Sequence, residues 1–402
     1  MKKDFIFISE SVTEGHPDKI CDQISDAIVD NFLQQDIFSR IRAECAVFTN
    51  IVFIAVNFNS NAIVDLPFIA RRTIKLIGYD DNNPFNAQNC SILTSIRESG
   101  IQKNLVDERE MSDENINKIK ALDQATVFGF ACNQTSAYMP LSVWLSHKLA
   151  RRLISVRSQN ILPYLEPDGK TQVGIEYRSR KPYRIYSITI IASQSKTESQ
   201  GGPSLRKLYS DILEHVIYPS FIDEEIKPDE RTKIFVNPEG PIILGGPYIH
   251  SGLTGRKNAV DTYGEYARHG DSALSGKDPM RIDRIGAYAA RYVAKNIVAA
   301  GLADECEVQL SYSIGFSAPV SVQIETFGTG KISDEHLAKI VNKYFDLRIG
   351  GIIKSFNLRR LPTITRGGFY RKLATYGHVG RMDIGLPWEL TDKADIIRQD
   401  IF

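Results

Sequence analysis

The chain has no run of about 18 apolar residues in its 402 positions, so nothing in it has the length of a membrane-spanning helix. Its start, Met1-Lys2-Lys3-Asp4-Phe5-Ile6-Phe7-Ile8, turns polar too soon for a secretory leader. A soluble, cytoplasmic protein is expected. Cysteine is scarce: Cys21, Cys45, Cys90, Cys132 and Cys306 are odd in number, scattered, and show neither a C-x-x-C pair nor zinc spacing. These thiols are expected to be reduced and mostly buried. Net charge is nearly absent, at +1 from 49 basic and 48 acidic residues, which gives no global field for nucleic acid or an anionic membrane. Any charge that matters must be local. No internal repeat is visible.

What is present begins with Ser9-Glu10-Ser11-Val12-Thr13-Glu14-Gly15-His16-Pro17-Asp18-Lys19. Ile20, Ile24, Ile28 and Phe32 recur every four positions, which predicts an amphipathic helix to about Gln35, with Pro17 pre-set for its first turn. His16 and Asp18 then stand at a helix N-terminus. Backbone N–H groups and the positive dipole end favour an anion there, and a neighbouring carboxylate can hold the cation that accompanies polyphosphate.

The remaining pattern reads as three α/β units. Ile41 to Phe48 and Ile51 to Phe58 are strands joined at Thr49-Asn50, where asparagine tolerates a left-handed turn, and a helix from Asp65 to Ile77 precedes Gly78. Next come a strand Val127 to Ala131, a helix Pro140 to Val156, strands near Thr171 to Tyr177 and Tyr186 to Ala192, and a helix Ser204 to Val216. Last come a helix Ile285 to Ala300 stopped by Gly301 and an alternating strand Cys306 to Ile314. The expected division is 1–103, a lid or linker at 104–121, a central unit at 122–244 and a C-terminal unit at 245–402. Ser99 to Ile116 is charge-rich, poor in apolar periodicity and suited to a mobile segment. Gln194 to Pro203 is expected to be a surface loop.

Five further blocks follow in order: Gly252-Leu253-Thr254-Gly255-Arg256-Lys257, Asp261-Thr262-Tyr263-Gly264, Ala267-Arg268-His269-Gly270, Ser275-Gly276-Lys277-Asp278-Pro279 and Tyr288 to Asn296. With the opening motif, Phe128-Gly129-Phe130-Ala131, Leu162-Pro163, Pro167-Asp168-Gly169-Lys170, Gln194 and Tyr376-Gly377-His378, the chain resembles the methionine adenosyltransferases (S-adenosylmethionine synthetases) over nearly its whole length. The Gly-Leu-Thr-Gly-Arg-Lys stretch is not a P-loop, because its glycine-to-lysine spacing is wrong and no Ser or Thr follows Lys257. The resemblance implies three similar α/β subdomains around a pseudo-threefold axis, with sheets packed across a homodimer, or a dimer of dimers, whose active sites lie between subunits. It implies ATP and methionine as substrates, two Mg2+ ions per site and K+.

The chemistry so implied is sulfur attack on the ribose C5′ of ATP, followed by cleavage of the bound triphosphate to pyrophosphate and phosphate. Sulfur is its own nucleophile, so the burden on the protein is to stabilise a departing triphosphate. Arg256, Lys257 and Lys277 supply cations from glycine-flanked turns, and Lys170 adds another from a Pro-Asp-Gly turn. The resemblance places His16 at the bond being broken, Asp18 and Asp283 on magnesium, Glu44 on potassium, and Asp123 and Asp168 in the substrate pocket. Arg256 suits the second step, since a planar guanidinium can bridge two phosphoryl groups.

The departures fall mostly on amino-acid and adenine contacts. Asn57 stands where the family has a glutamate toward the methionine amine, His250 where it has an aspartate, Ile242 where it has an adenine-stacking phenylalanine, and Arg281 where it has a lysine. Lys120-Ala121-Leu122-Asp123-Gln124-Ala125 keeps the aspartate of a glycine-rich segment and loses its glycines. Gln102 is the candidate for the lid glutamine. Three readings follow: an ordinary methionine adenosyltransferase, an adenosyltransferase for a different thioether, and a non-catalytic nucleotide-binding relative. Retention of the cations and metal-type carboxylates argues against the third.

Overall fold

The computed structural model describes residues 4–79, 83–99 and 106–401. Gln102 lies outside them. Among the described residues three sheets carry the fold, and each is completed by a strand from a distant part of the chain. Phe5–Val12 pairs antiparallel with Leu165–Arg178, which continues through Lys181–Gln194 to Lys233–Val236, while Ile242–Ile243 pairs with the end of Lys181–Gln194. Gly252–Leu253 lies against Arg40–Phe48, followed by Ile51–Asn59 and the parallel Ser91–Glu98. Ala125–Cys132 flanks Glu305–Tyr312, whose other neighbour is Ser321–Glu325.

The expected helices form with small shifts in their ends. Pro17–Gln35 starts at the proline, Asp65 caps Leu66–Ile77 by accepting from Phe68 N at 2.9 Å, and Ile282–Ala299 opens one turn earlier than the apolar period indicates. The Ser204 helix is α-helical over Leu205–Ile212 and continues as a wider π turn, Leu213–Ile217. The strands around 171 and 186 run far longer than expected, as Leu165–Arg178 and Lys181–Gln194. Between Phe48 and Ile51, Thr49 takes the left-handed conformation expected of Asn50 (φ 53°).

Alternation buries one face of each strand. Ile41, Ala43, Cys45, Val47, Val52, Ile54 and Val56 join Ile20, Ile24, Ile28 and Leu33 of the opening helix in the main core. A second core packs Leu145, Leu149 and Leu153 against Val173, Ile175, Ile188 and Ile190. All five cysteines are buried and free. Ile51–Asn59 carries apolar residues toward both faces, Val52, Ile54 and Val56 on one and Phe53 and Ala55 on the other, a pattern that fits a strand covered on both sides. In the single chain the outer face of its sheet is open, with Phe48 63%, Ile51 50%, Phe53 43% and Leu93 54% exposed.

The described part of the expected lid is anchored. Met111 and Ile116 are buried, Lys354 Nζ donates to Met111 O at 2.8 Å, and Arg360 pairs with Asp107. Gln194 belongs to a buried strand end instead of a surface loop, donating to Lys196 O at 2.7 Å.

Candidate active site

His16 caps the opening helix: its Nδ1 accepts from Asp18 N at 3.2 Å. Asp18, the second residue of the helix, accepts from Leu253 N at 3.0 Å through Oδ1, with Arg256 Nε 3.6 Å away. Its Oδ2 stays 3.8 Å from His16 Nδ1. Burial, opposed by Asp168 and reinforced by Lys257 and Lys170, pushes the His16 pKa down to about 3. The imidazole is therefore neutral near pH 7. Because Nδ1 accepts, the proton sits on Nε2, which is left as a donor.

Behind His16, Asp168 Oδ2 accepts from Gly246 N at 2.8 Å and meets His250 Nε2 at 3.1 Å. The rings of His16 and His250 lie edge to face, with centroids 5.0 Å apart. Burial opposes the Asp168 charge, but hydrogen bonds from His250 and Gly246 hold its carboxyl below the usual range. Asp168 Oδ1 is buried without a hydrogen-bond partner, so it can accept from a bound hydroxyl. Donor atoms of His16, Asp168 and His250 lie within 4.8 Å of one another. His16 spends Nδ1 on the cap and His250 is paired to Asp168, which makes this set a hydrogen-bonding wall more than a transition-metal cage.

Lys257 Nζ reaches Glu10 Oε1 at 3.4 Å, and Lys170 is exposed on the strand register opposite Val12. Ile242, half-buried, pairs with Ser193, the residue after Ala192, which is the partner of Gly169.

The other expected residues gather elsewhere along the same strand. Gly252 and Leu253 pair with Val47 and Ala46 of Arg40–Phe48, whereas Lys277 bridges to Arg42 near the opposite end. At about 3.3 Å per residue, these two stations are roughly 16 Å apart along the strand. At the second station Lys277 Nζ pairs with Asp283 Oδ2 at 2.8 Å, and burial, opposed by Asp283, lowers the lysine's pKa. Glu44 is exposed and pairs with Arg42 at 2.8 Å. Asn57 stands opposite Arg42 and accepts from Ser99 Oγ at 3.0 Å through Oδ1. Arg281 Nε is 3.7 Å from Asp278 Oδ2. Asp123 is exposed, accepts from Gln124 N at 2.9 Å, and joins neither station.

Two sets of residues were not anticipated. Glu265, an exposed residue, adopts a left-handed conformation (φ 64°), and partial desolvation of its carboxyl, then Glu10, push its pKa up to about 7 against the pull of Lys257. Asp22, Asp26 and Asp30 continue a four-residue series from Asp18 along the buried side of the opening helix. The series was visible in the sequence as a period of four, but buried acids are rare enough that it invites a reading as solvated charge.

The fold and site define a class: an α/β enzyme that places a helix N-terminus, a neutral histidine and turn-borne cations where a polyphosphate can bind. Family models of S-adenosylmethionine synthetase match three successive parts of the chain, the N-terminal domain over residues 4–100, the central domain over 118–242 and the C-terminal domain over 244–390. The chain is 51% identical over 408 residues to the S-adenosylmethionine synthase of Gloeothece citriformis, covering 99% of this chain and 97% of that one. It is 50% identical over 411 residues to that of Synechococcus elongatus, covering 100% and 98%. The chain belongs to the S-adenosylmethionine synthetase family.

Proposed function

We infer that this protein forms S-adenosylmethionine from ATP and methionine, and that the station around His16 holds the reacting end of ATP. The observation that carries the reading is the neutral, capped histidine beside Asp18 and Arg256 at a helix start, in a chain about half identical to synthases over its whole length. The thioether sulfur forms a bond to C5′ as the C5′–O bond breaks, and the electron pair leaves on triphosphate. His16 Nε2–H is suited to donate to the departing oxygen. Arg256, Lys257, Lys170 and Lys277 offset the charge that leaves, and Asp168 Oδ1 is free to accept from a ribose hydroxyl. In the second step a water attacks phosphorus and the same cations serve again, with Arg256 as the bridging group.

The family generally uses Mg2+ and K+. Asp18 and Asp283 offer the hard carboxylate oxygens magnesium prefers, and Asp18 Oδ2 lies too far from His16 to be engaged by it. Magnesium bound there would neutralise phosphate charge. Glu44 remains the candidate for potassium. The two stations belong to one catalytic centre if a second copy of the chain supplies one of them, so a homodimer, or a pair of dimers, is part of this proposal.

A second reading, an altered thioether, rests on Asn57 and His250. An amide recognises an ammonium less well than a carboxylate, and His250 is committed to Asp168. Incubation with ATP, Mg2+ and a panel of thioethers, read by mass spectrometry, decides between them. Dominant S-adenosylmethionine supports the first; preference for a thioether lacking the amine supports the second; no adduct with any of them would sink both. Asn57→Glu should tighten the methionine KM by roughly tenfold under the second reading and leave ATP use unchanged.

A further inference from the structure

Every fourth residue on one side of the opening helix is an aspartate, and each accepts a backbone N–H from a distant segment: Asp18 and Asp22 from the same turn, Asp26 and Asp30 from two others. Asp18 takes Leu253 N at 3.0 Å, Asp22 takes Gly255 N at 2.8 Å, Asp26 takes Gly276 N at 2.8 Å, and Asp30 takes Phe369, Tyr370 and Arg371 N at 3.1, 2.9 and 3.0 Å. Successive members of an i, i+4 series are about 6 Å apart along the axis and face the same way. The helix is thus a ruler whose marks are carboxylates.

Two of those marks fall on the residue immediately before a phosphate-type cation: Gly255 precedes Arg256 and Gly276 precedes Lys277. Both glycines are left-handed (φ 80° and 78°), and both are closely hemmed in. A Cβ on Gly255 would stand 2.3 Å from Ala273 Cβ, and one on Gly276 would stand 2.0 Å from Ala43 O. Each turn therefore has little slack, and the carboxylate fixes where it sits. Asp22 and Asp26 are themselves fully buried, the first paired with Lys19 at 2.9 Å and the second held two-pronged by Arg284 at 2.8 and 2.7 Å. Sequestering four charges is costly, and uncharged residues would fill the same space at less expense. What the aspartates add is a fixed acceptor at a set height on a rigid rod.

We propose that Asp22 and Asp26 are positioning residues for adenosyl transfer, which hold the amides of Gly255 and Gly276 and so set where Arg256 and Lys277 present their charge. This rests on the reading of those two cations as triphosphate-binding groups. Neither aspartate needs to touch substrate.

The test separates acceptor position from counter-charge at Asp22. Asp22→Asn keeps an oxygen at the same height and loses the charge paired with Lys19, whereas Asp22→Glu keeps the charge and moves the acceptor by one methylene. Positioning predicts that Asn retains kcat within about threefold while Glu lowers it about tenfold or more, with methionine KM little changed in both, because small misplacements of a catalytic group are expensive. A counter-ion role predicts the reverse order, and equal effects also overturn the proposal. Asp30→Asn is the control for a purely structural rung. It should lower the melting temperature without changing kcat, and parallel losses of kcat and stability at Asp22 and Asp30 would count against positioning. Arg256→Ala, measured alongside, keeps the two levels apart. If it turns over normally, the phosphate-binding reading fails, whereas an inactive Arg256→Ala with a fully active Asp22→Glu removes only the positioning role.

Discussion

In the proposed mechanism single residues carry most of the chemistry, and the position of some was legible because their neighbours constrain them. His16 and Asp18 could be placed at a helix start from Pro17 and the isoleucine period alone, and the structure puts them there, 3.2 Å apart through the cap. The division of the cations into two stations was not legible, since nothing local tells Lys277 that it lies toward the far end of the strand that Gly252 also borders. Arg256→Ala and Lys277→Ala are each expected to lower turnover by orders of magnitude in a folded protein, because a preorganised charge aimed at a leaving group is worth about 3 to 4 kcal/mol. Arg256→Lys should damage triphosphate cleavage more than adenosyl transfer, and steady-state assays of the two products check this; equal loss removes the special role of the guanidinium. Glu265 offers a pH-dependent case. Its folded pKa of about 7 exceeds the ordinary 4.5, so the native protein holds the proton more tightly than the unfolded chain. Stability contributed by this group is therefore present at about pH 4.5 and is lost as pH rises toward 7. Urea midpoints at pH 5 and pH 8 should differ less in Glu265→Gln than in the natural sequence, and Glu265→Gly should add about 1 kcal/mol of stability by relieving its left-handed backbone.

At the scale of elements, periodicity located the longest helices and six of the strands, missed others such as Phe5–Val12, Ser91–Glu98 and Ser321–Glu325, and erred where pairing decides length. Leu165–Arg178 and Lys181–Gln194 extend well beyond their apolar cores because each is held by a long partner, and local pattern does not report partners. The same blindness hid the exchange of strands: Phe5–Val12 was not expected to be a strand, and its neighbour is more than 150 residues away in sequence, at Leu165–Arg178. Gly129 shows how tight these non-local contacts are. A Cβ there would lie 2.0 Å from the carbonyl carbon of Ala290, so the strand Ala125–Cys132 touches the helix Ile282–Ala299 backbone to side-chain-free backbone. That helix carries Asp283 in its first turn. Gly129→Ala should force the two apart at a cost of about 1 to 3 kcal/mol and displace Asp283, lowering both the melting temperature and the affinity for Mg2+. Calorimetry and a magnesium titration of activity test this, and an unchanged melting temperature would show that the helix can move freely.

At the scale of the whole molecule, the open face of the sheet built on Arg40–Phe48 is the feature a single chain leaves unexplained. Phe48, Ile51, Phe53 and Leu93 stand exposed on it beside Glu44 and Arg42, a contiguous apolar surface with charged residues on the same strand. The sequence signalled strands covered on both faces, and only one face is covered within the chain. The second copy of the proposed homodimer would cover this face and also answer the division of the site, by bringing a Lys277 station to a His16 station. Phe53→Glu is the discriminating change, because Phe53 is 43% exposed and its replacement leaves the core of one chain intact. Under the proposed homodimer, the variant should show an unaltered circular dichroism spectrum, sediment as a monomer at micromolar concentration where the natural sequence sediments as a dimer or larger, and lose adenosyl transfer. Interfaces of stable dimers bury about 1,200 to 2,000 Å² or more, so one buried carboxylate at the centre of such a face is enough to dissociate it. A monomeric Phe53→Glu with full turnover would mean that one chain holds a complete site, and the two stations would then have to act on the same substrate without a partner.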